Sequence, residues 1–189
     1  MNKLAIFDLD GTLFDTGEVN FFSYQKALNK VGYNVEKEYY IEHCNGYHYK
    51  RFLPEILKDL QGNELTQAME KVHLYKKDYY KQYLYAVREN AFLFDMINCL
   101  KQTYHIALVT TASKKNTEEI LEFTQKSSLF ELVLCQEDVE KKKPDPEGFQ
   151  KAIEYFGVKP EDTIVFEDSD VGIEAAIASG ANVMKVYKF

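Results

Sequence analysis

The sequence predicts an α/β fold, a doubly wound parallel sheet of Rossmann-like type carrying an inserted all-helical cap domain. Three observations carry that expectation. Leu4-Ala5-Ile6-Phe7 is continuously apolar and runs into Asp8-Leu9-Asp10-Gly11, as a central strand covered on both faces does when it ends at a ligand site. From residue 91 onward helical and strand patterns alternate, which implies right-handed crossovers between parallel strands. Between these stretches, residues 16–90 keep helical periodicity without a convincing strand and hold eleven of the 14 tyrosines. The expected organisation is a discontinuous core, 1–15 with 91–189, and a helical insert over 16–90.

The elements follow in order. Asp15, with Glu18 three residues on, has the pattern of a helix N-cap; Phe21, Tyr24, Leu28 and Val31 recur at helical spacing up to Gly32. Further helices are expected at 36–44, 49–60 and 65–87, the last with a tyrosine stripe at Tyr75, Tyr79 and Tyr83 that reads as a packing face. Residues 92–100 are helical and 105–109 form a buried strand. Asn116 with Glu119 opens the next helix, and Leu132-Val133-Leu134 is a short strand. Asp145-Pro146 starts a helix that Gly157 stops, with Pro146 at its first position. Residues 163–166 form a strand, 171–178 a helix that Asp170 or Ser169 caps, and 183–186 a last strand.

Composition narrows the class. Of the 189 residues 46% are hydrophobic, enough for a buried core and too many for a disordered chain. No apolar run approaches the ~18 residues of a membrane span, and the opening Met-Asn-Lys leads straight into the acidic strand, so neither a span nor a signal peptide is expected and cytoplasm is the default location. Cys44, Cys99 and Cys135 are odd in number and widely spaced, which reads as reduced core thiols. A formal charge of −7 argues against nucleic-acid and anionic-membrane partners. An anionic substrate then needs local positive groups or a divalent cation.

The chemistry gathers at strand ends. Asp8 and Asp10 stand two apart, where like charges raise each other's pKa unless a metal or a proton compensates. Gly11 permits a tight turn that can present backbone N–H groups to an anion. Thr110 follows the strand at 105–109, as a ligand hydroxyl or as a turn threonine. Lys143 precedes Pro144, whose ring restricts both residues, whereas Lys141 and Lys142 read as a solvated basic pair. Glu167 and Asp168 end the strand at 163–166, and with Asp8 and Asp10 they form an all-oxygen cluster suited to Mg²⁺.

In that order the four motifs resemble the haloacid dehalogenase-like superfamily of phosphatases and phosphomutases over nearly the whole chain: Asp8-Leu9-Asp10-Gly11-Thr12, Thr110, Lys143 and Glu167-Asp168. The resemblance implies Asp8 as a nucleophile that forms an aspartyl-phosphate and Asp10 as general acid and then base. It implies phosphate contacts from Leu9, Gly11, Thr110, Thr111 and Lys143. Mg²⁺ would be held by Asp8, Asp10 through its backbone carbonyl, and Asp168, with Glu167 either a direct ligand or one step behind. The family's dehalogenases lack the second aspartate, so phosphate-ester chemistry on a small phosphorylated metabolite is implied. Beta-phosphoglucomutase is the nearest rival; its cap histidine and arginine are replaced here by Asn20 and Tyr49, which favours a phosphatase, with Lys50 and Arg51 the basic pair closest to where related caps touch substrate. A phosphate-binding regulatory protein without turnover is the other alternative. A monomer or weak homodimer is expected.

Overall fold

The computed structural model describes residues 2–187 and 189. The chain forms two compact units, residues 1–15 with 88–189, and residues 16–87. Its first unit begins with strand β1 (Leu4–Phe7), every residue of which is buried, and a short strand β2 (Phe14–Asp15). The helices of the second unit follow: α1 (Gly17–Asn29), α2 (Lys37–His43), α3 (Tyr49–Ile56) and α4 (Gly62–Tyr80). After them come β3 (Arg88–Glu89), α5 (Ala91–Leu100), β4 (His105–Val109), α6 (Lys114–Phe123), β5 (Leu132–Leu134), α7 (Glu147–Phe156), β6 (Thr163–Glu167), α8 (Asp170–Ala178) and β7 (Asn182–Lys185).

Five strands pair in parallel in the order β5-β4-β1-β6-β7, with β1 in the middle. The chain winds away from β1 towards β4 and β5, then returns to β6 and β7, so the switch between the two directions lies at the carboxyl end of β1. Ligands bind at such a crevice in open α/β sheets. On one face Leu4, Ile6, Val109 and Val165 pack with Phe149 of α7 and Ala175 of α8. Alternation along the strands sends Ala5, Phe7, Leu108 and Phe166 to the other face, where the Phe7 and Phe166 rings stack at 4.4 Å.

The 16–87 unit has its own core, built from Phe21, Tyr24 and Leu28 of α1, Tyr40 of α2, Phe52 and Leu53 of α3, and Val72 of α4. Tyr75 and Tyr79 pack at its edge, and Lys30 and Lys26 close over their rings at 4.0 and 4.8 Å. The tyrosine stripe is thus a packing face. Among the described residues no helix is long and apolar enough to cross a membrane.

Several boundaries differ from the sequence reading. Asp15 is not a helix cap: it sits in β2, pairs antiparallel with Arg88 of β3 and forms an ion pair with that side chain, leaving Thr16 at the start of α1. This ribbon also places a strand at 88–89, where only helix was expected. Ser113, not Asn116, caps α6, its Oγ accepting from the Asn116 N–H at 3.4 Å. Pro146 stands at the N-cap of α7 rather than one residue inside it. The expected 49–60 helix stops at Ile56, and the long helix tightens into a 3₁₀ turn over Lys81–Ala86. Cys44 and Cys135 are buried free thiols, but Cys99 is exposed on α5.

Candidate active site

The carboxyl ends of β1, β4 and β6 bring together side chains that the sequence holds far apart. Buried apolar strands fix where each one emerges. Asp8 follows β1 directly, its N–H donating to the Phe166 carbonyl at 3.0 Å, so the nucleophile candidate is tied to the neighbouring strand. Lys143 enters from the loop before α7, next to a cis peptide to Pro144. Its Nζ donates to Asp8 Oδ1 and to Glu167 Oε2, each at 2.6 Å, and to the Val109 carbonyl at 3.2 Å.

These three charges are almost wholly withdrawn from water, with Glu167 only 1% exposed. Burial alone disfavours a charged lysine, yet the Asp8 and Glu167 carboxylates outweigh it and hold Lys143 above the ordinary lysine value. Asp8 is pushed well above the usual aspartate range by burial and then by Glu167, an effect Lys143 offsets only in part. Burial, followed by Glu167, raises Asp168 to about 6, against a hydrogen bond from the Thr12 hydroxyl to its Oδ1 at 3.1 Å. The site therefore carries more negative charge than one lysine can balance.

Asp8, Glu167 and Asp168 each offer a carboxylate oxygen, and these oxygens lie within 4.8 Å of one another. An all-oxygen donor set with surplus negative charge fits a hard divalent cation such as Mg²⁺. Gly11 makes room beside it. Its φ is +84°, and a Cβ there would collide with the Asp168 carboxylate.

The profile of the haloacid dehalogenase-like hydrolase family matches residues 5–186. The chain belongs to that family. This haloacid dehalogenase-like hydrolase is 30% identical to pyrophosphatase PpaX of Bacillus mycoides over 96% of the chain and 82% of the relative. It is 28% identical to a phosphorylated carbohydrates phosphatase of Thermotoga maritima, over 94% and 82%. Among solved structures it is similar to a predicted phosphoglycolate phosphatase from Haemophilus somnus, with a TM-score of 0.84 and 25% identity over 99% of this chain and 86% of that one.

Within this hydrolase, Asp8, Lys143, Glu167, Asp168 and Gly11 converge. Asp10, half-buried, lies close enough for its charge to raise Asp8 and Asp168. Thr110 and Thr111 line one cleft with Lys143, and the Thr110 hydroxyl accepts from the Ala112 N–H at 3.1 Å. Leu9 places its side chain in the core. One expectation needs correction: the Gly11 N–H does not face an anion, because it donates to the Phe14 carbonyl at 2.8 Å to close the turn. Lys50 and Arg51 lie in the 16–87 unit and have partners there, Glu70 at 3.5 Å and the Tyr47 ring at 3.7 Å.

Three residues at the site had been given no part in it from sequence, Thr12 being named only within the first motif and Ser169 only as a helix cap. Thr12 orients Asp168. Ser169 caps α8 and also donates to Glu167 Oε1 from its N–H (3.2 Å) and Oγ (2.8 Å). Gly172 leaves space for the Glu167 carboxylate, which a Cβ there would strike. For Thr12 and Ser169 the signal was adjacency to the acids, whereas Gly172 showed only as a glycine within a helical pattern.

Proposed function

We propose that this hydrolase is a Mg²⁺-dependent phosphatase that cleaves a small phosphomonoester through an aspartyl-phosphate on Asp8. The observation that carries this reading is the buried Lys143 ammonium held at 2.6 Å from both Asp8 and Glu167, a fixed cation beside a carboxylate nucleophile. The 30% and 28% identical relatives, named for pyrophosphate and phosphorylated carbohydrates, support hydrolysis of a phosphoryl group, and the second supports an ester.

In this reading an Asp8 oxygen attacks phosphorus as the bond to the leaving oxygen breaks, and Asp10 gives that oxygen its proton. Asp10 then takes a proton from the water that attacks the phosphoryl group, and the bond to Asp8 breaks. Lys143 and Thr110 meet the charge that develops on the transferring oxygens. Asp8, Asp168 and the Asp10 carbonyl would hold Mg²⁺, with Glu167 behind them. When bound, the ion supplies charge neutralisation between the carboxylates and the phosphate dianion.

The test is hydrolysis of para-nitrophenyl phosphate with and without Mg²⁺, followed by a panel of sugar phosphates, phosphoglycolate, nucleoside monophosphates and pyrophosphate. Mg²⁺-dependent release of phosphate is expected. A folded protein inactive on the whole panel overturns the reading in favour of a phosphate-binding regulatory protein. Isomerisation of a sugar phosphate that requires a bisphosphate primer would replace it with a mutase.

A further inference from the structure

Glu167 has both carboxylate oxygens committed. Oε2 accepts from Lys143 Nζ at 2.6 Å, and Oε1 accepts from Ser169 N–H and Oγ at 3.2 and 2.8 Å. The carboxylate lies flat against the first turn of α8, where Gly172 has no side chain: a Cβ at 172 would overlap Glu167 Cδ and both oxygens. The partial positive charge at the start of α8 favours an anion in that position. From α8 a continuous set of contacts therefore runs through Glu167 and Lys143 to Asp8 Oδ1.

We propose that Ser169 and Gly172 are positioning residues, which lock Glu167 as the anchor that aims Lys143 at Asp8. Glu167 then serves the lysine rather than the metal, and Asp8 and Asp168 are the side chains left for the ion. A lysine has a long, mobile stem, and a carboxylate fixed on two sides holds its end in one place. Ser169 has two separable duties. As a cap its Oγ accepts from the Gly172 N–H at 3.1 Å, whereas as an anchor it donates to Glu167. Ser169→Asp keeps the first, loses the hydroxyl donor of the second and sets a like charge against Glu167, whereas Ser169→Thr keeps both.

The kinetic part of this inference rests on the phosphatase reading, so one measurement is independent of turnover. Lys143 has a side chain only 8% exposed, against 72% for Lys141, and brief treatment with an amine-acylating reagent followed by peptide mass mapping reads the difference. In the wild type Lys141 is expected to be modified and Lys143 to be protected. Gly172→Ala and Ser169→Asp are expected to expose Lys143 to the reagent, while Ser169→Thr protects it. On para-nitrophenyl phosphate, the first two variants should lose about 10-fold or more in kcat, as when an aligned stabilising charge is displaced, with Ser169→Thr close to wild type. Mg²⁺ affinity measured by calorimetry on the metal-free proteins should stay near the wild-type value. Protection of Lys143 unchanged in folded Gly172→Ala and Ser169→Asp overturns the proposal, as does weakened Mg²⁺ binding with Lys143 still protected, which would put Glu167 on the metal. Should Gly172→Ala fail to fold, the two Ser169 variants decide alone. A wild type without phosphatase activity overturns the functional reading and leaves the acylation result to judge this one.

Discussion

Lys143 Nζ lies 2.6 Å from Asp8 Oδ1, and 135 residues of sequence separate the two. Each side chain is less than a tenth exposed, so the pair exists only because its charges satisfy one another and Glu167. Lys143→Ala leaves two buried carboxylates without their cation. Breaking such a cluster costs about 3–5 kcal/mol of stability, and losing a stabilising donor costs about 10²–10³ in kcat. Chemical denaturation and steady-state kinetics measure both. A variant with wild-type kcat would remove Lys143 from the reaction.

Asp8→Asn keeps the shape of the side chain and its contact with Lys143 but cannot form the acyl-phosphate. Turnover should vanish while the circular dichroism spectrum stays the same. Asp10→Asn should slow both proton transfers by about 10²–10⁴ and allow a phosphoenzyme to be trapped. Intact-mass spectra that show phosphate on the Asp8→Asn protein would identify a different nucleophile.

Asp168 titrates at about 6 in the folded protein, above the ordinary 3.8, through burial and then Glu167. The metal-free folded state therefore holds a proton that the unfolded chain has released between these values, and its stability falls as pH rises from 3.8 through 6. Asp168→Asn removes that loss, so thermal unfolding should find the metal-free variant gaining on wild type across this interval. Mg²⁺ affinity of the wild type should tighten over the same range. Parallel melting curves at every pH would contradict the assignment.

Gly11→Ala combines a positive φ, which costs a residue with a Cβ about 1–2 kcal/mol, with a clash against Asp168. Stability should drop by at least that amount, and calorimetry should show weaker Mg²⁺ binding. Unchanged metal affinity would mean that Asp168 can move aside without consequence.

His73 stacks on Tyr49 at 4.0 Å and shares a hydrogen bond with the Tyr24 hydroxyl at 3.1 Å. Burial, with Lys77 and Lys76 adding to it, lowers its pKa from 6.5 to about 3. Its contribution is complete above pH 6.5 and is lost as pH falls towards 3, because the unfolded chain takes up the proton first. His73→Phe keeps the stack and cannot titrate. Its unfolding temperature should depend less on pH between 6.5 and 4, and an identical dependence would exclude His73 as the source.

The inner strands β1, β4 and β6 were legible because a buried parallel strand announces itself as an unbroken apolar run, and at β1 and β6 that run stops abruptly at carboxylates; the two-residue strands β2 and β3 carry no such run. Asp8, Glu167 and Asp168 were visible for the same reason, and Lys143 because Pro144 fixes the backbone beside it. Helix starts were less legible, since Asp15 and Asn116 satisfy the capping pattern as well as the true starts do. What decided against Asp15 was Arg88, a partner 73 residues away. The part played by Gly172 was invisible because the side chain it accommodates comes from another element. Cys99 was misjudged since one residue type does not say which side of a helix it occupies.

The ribbon of β2 and β3 sets Phe14 opposite Glu89 and Asp15 opposite Arg88. Residues 16–87 thus leave and re-enter the catalytic unit at a single doorway, in the register of a hairpin whose loop has grown by an entire folded body. A two-residue Asn-Gly turn is the shortest natural closure of such a hairpin. Exchanging that body for another rethreads no strand of the sheet, so the cluster of acids and lysine at the strand ends and the helical insert can be inherited separately.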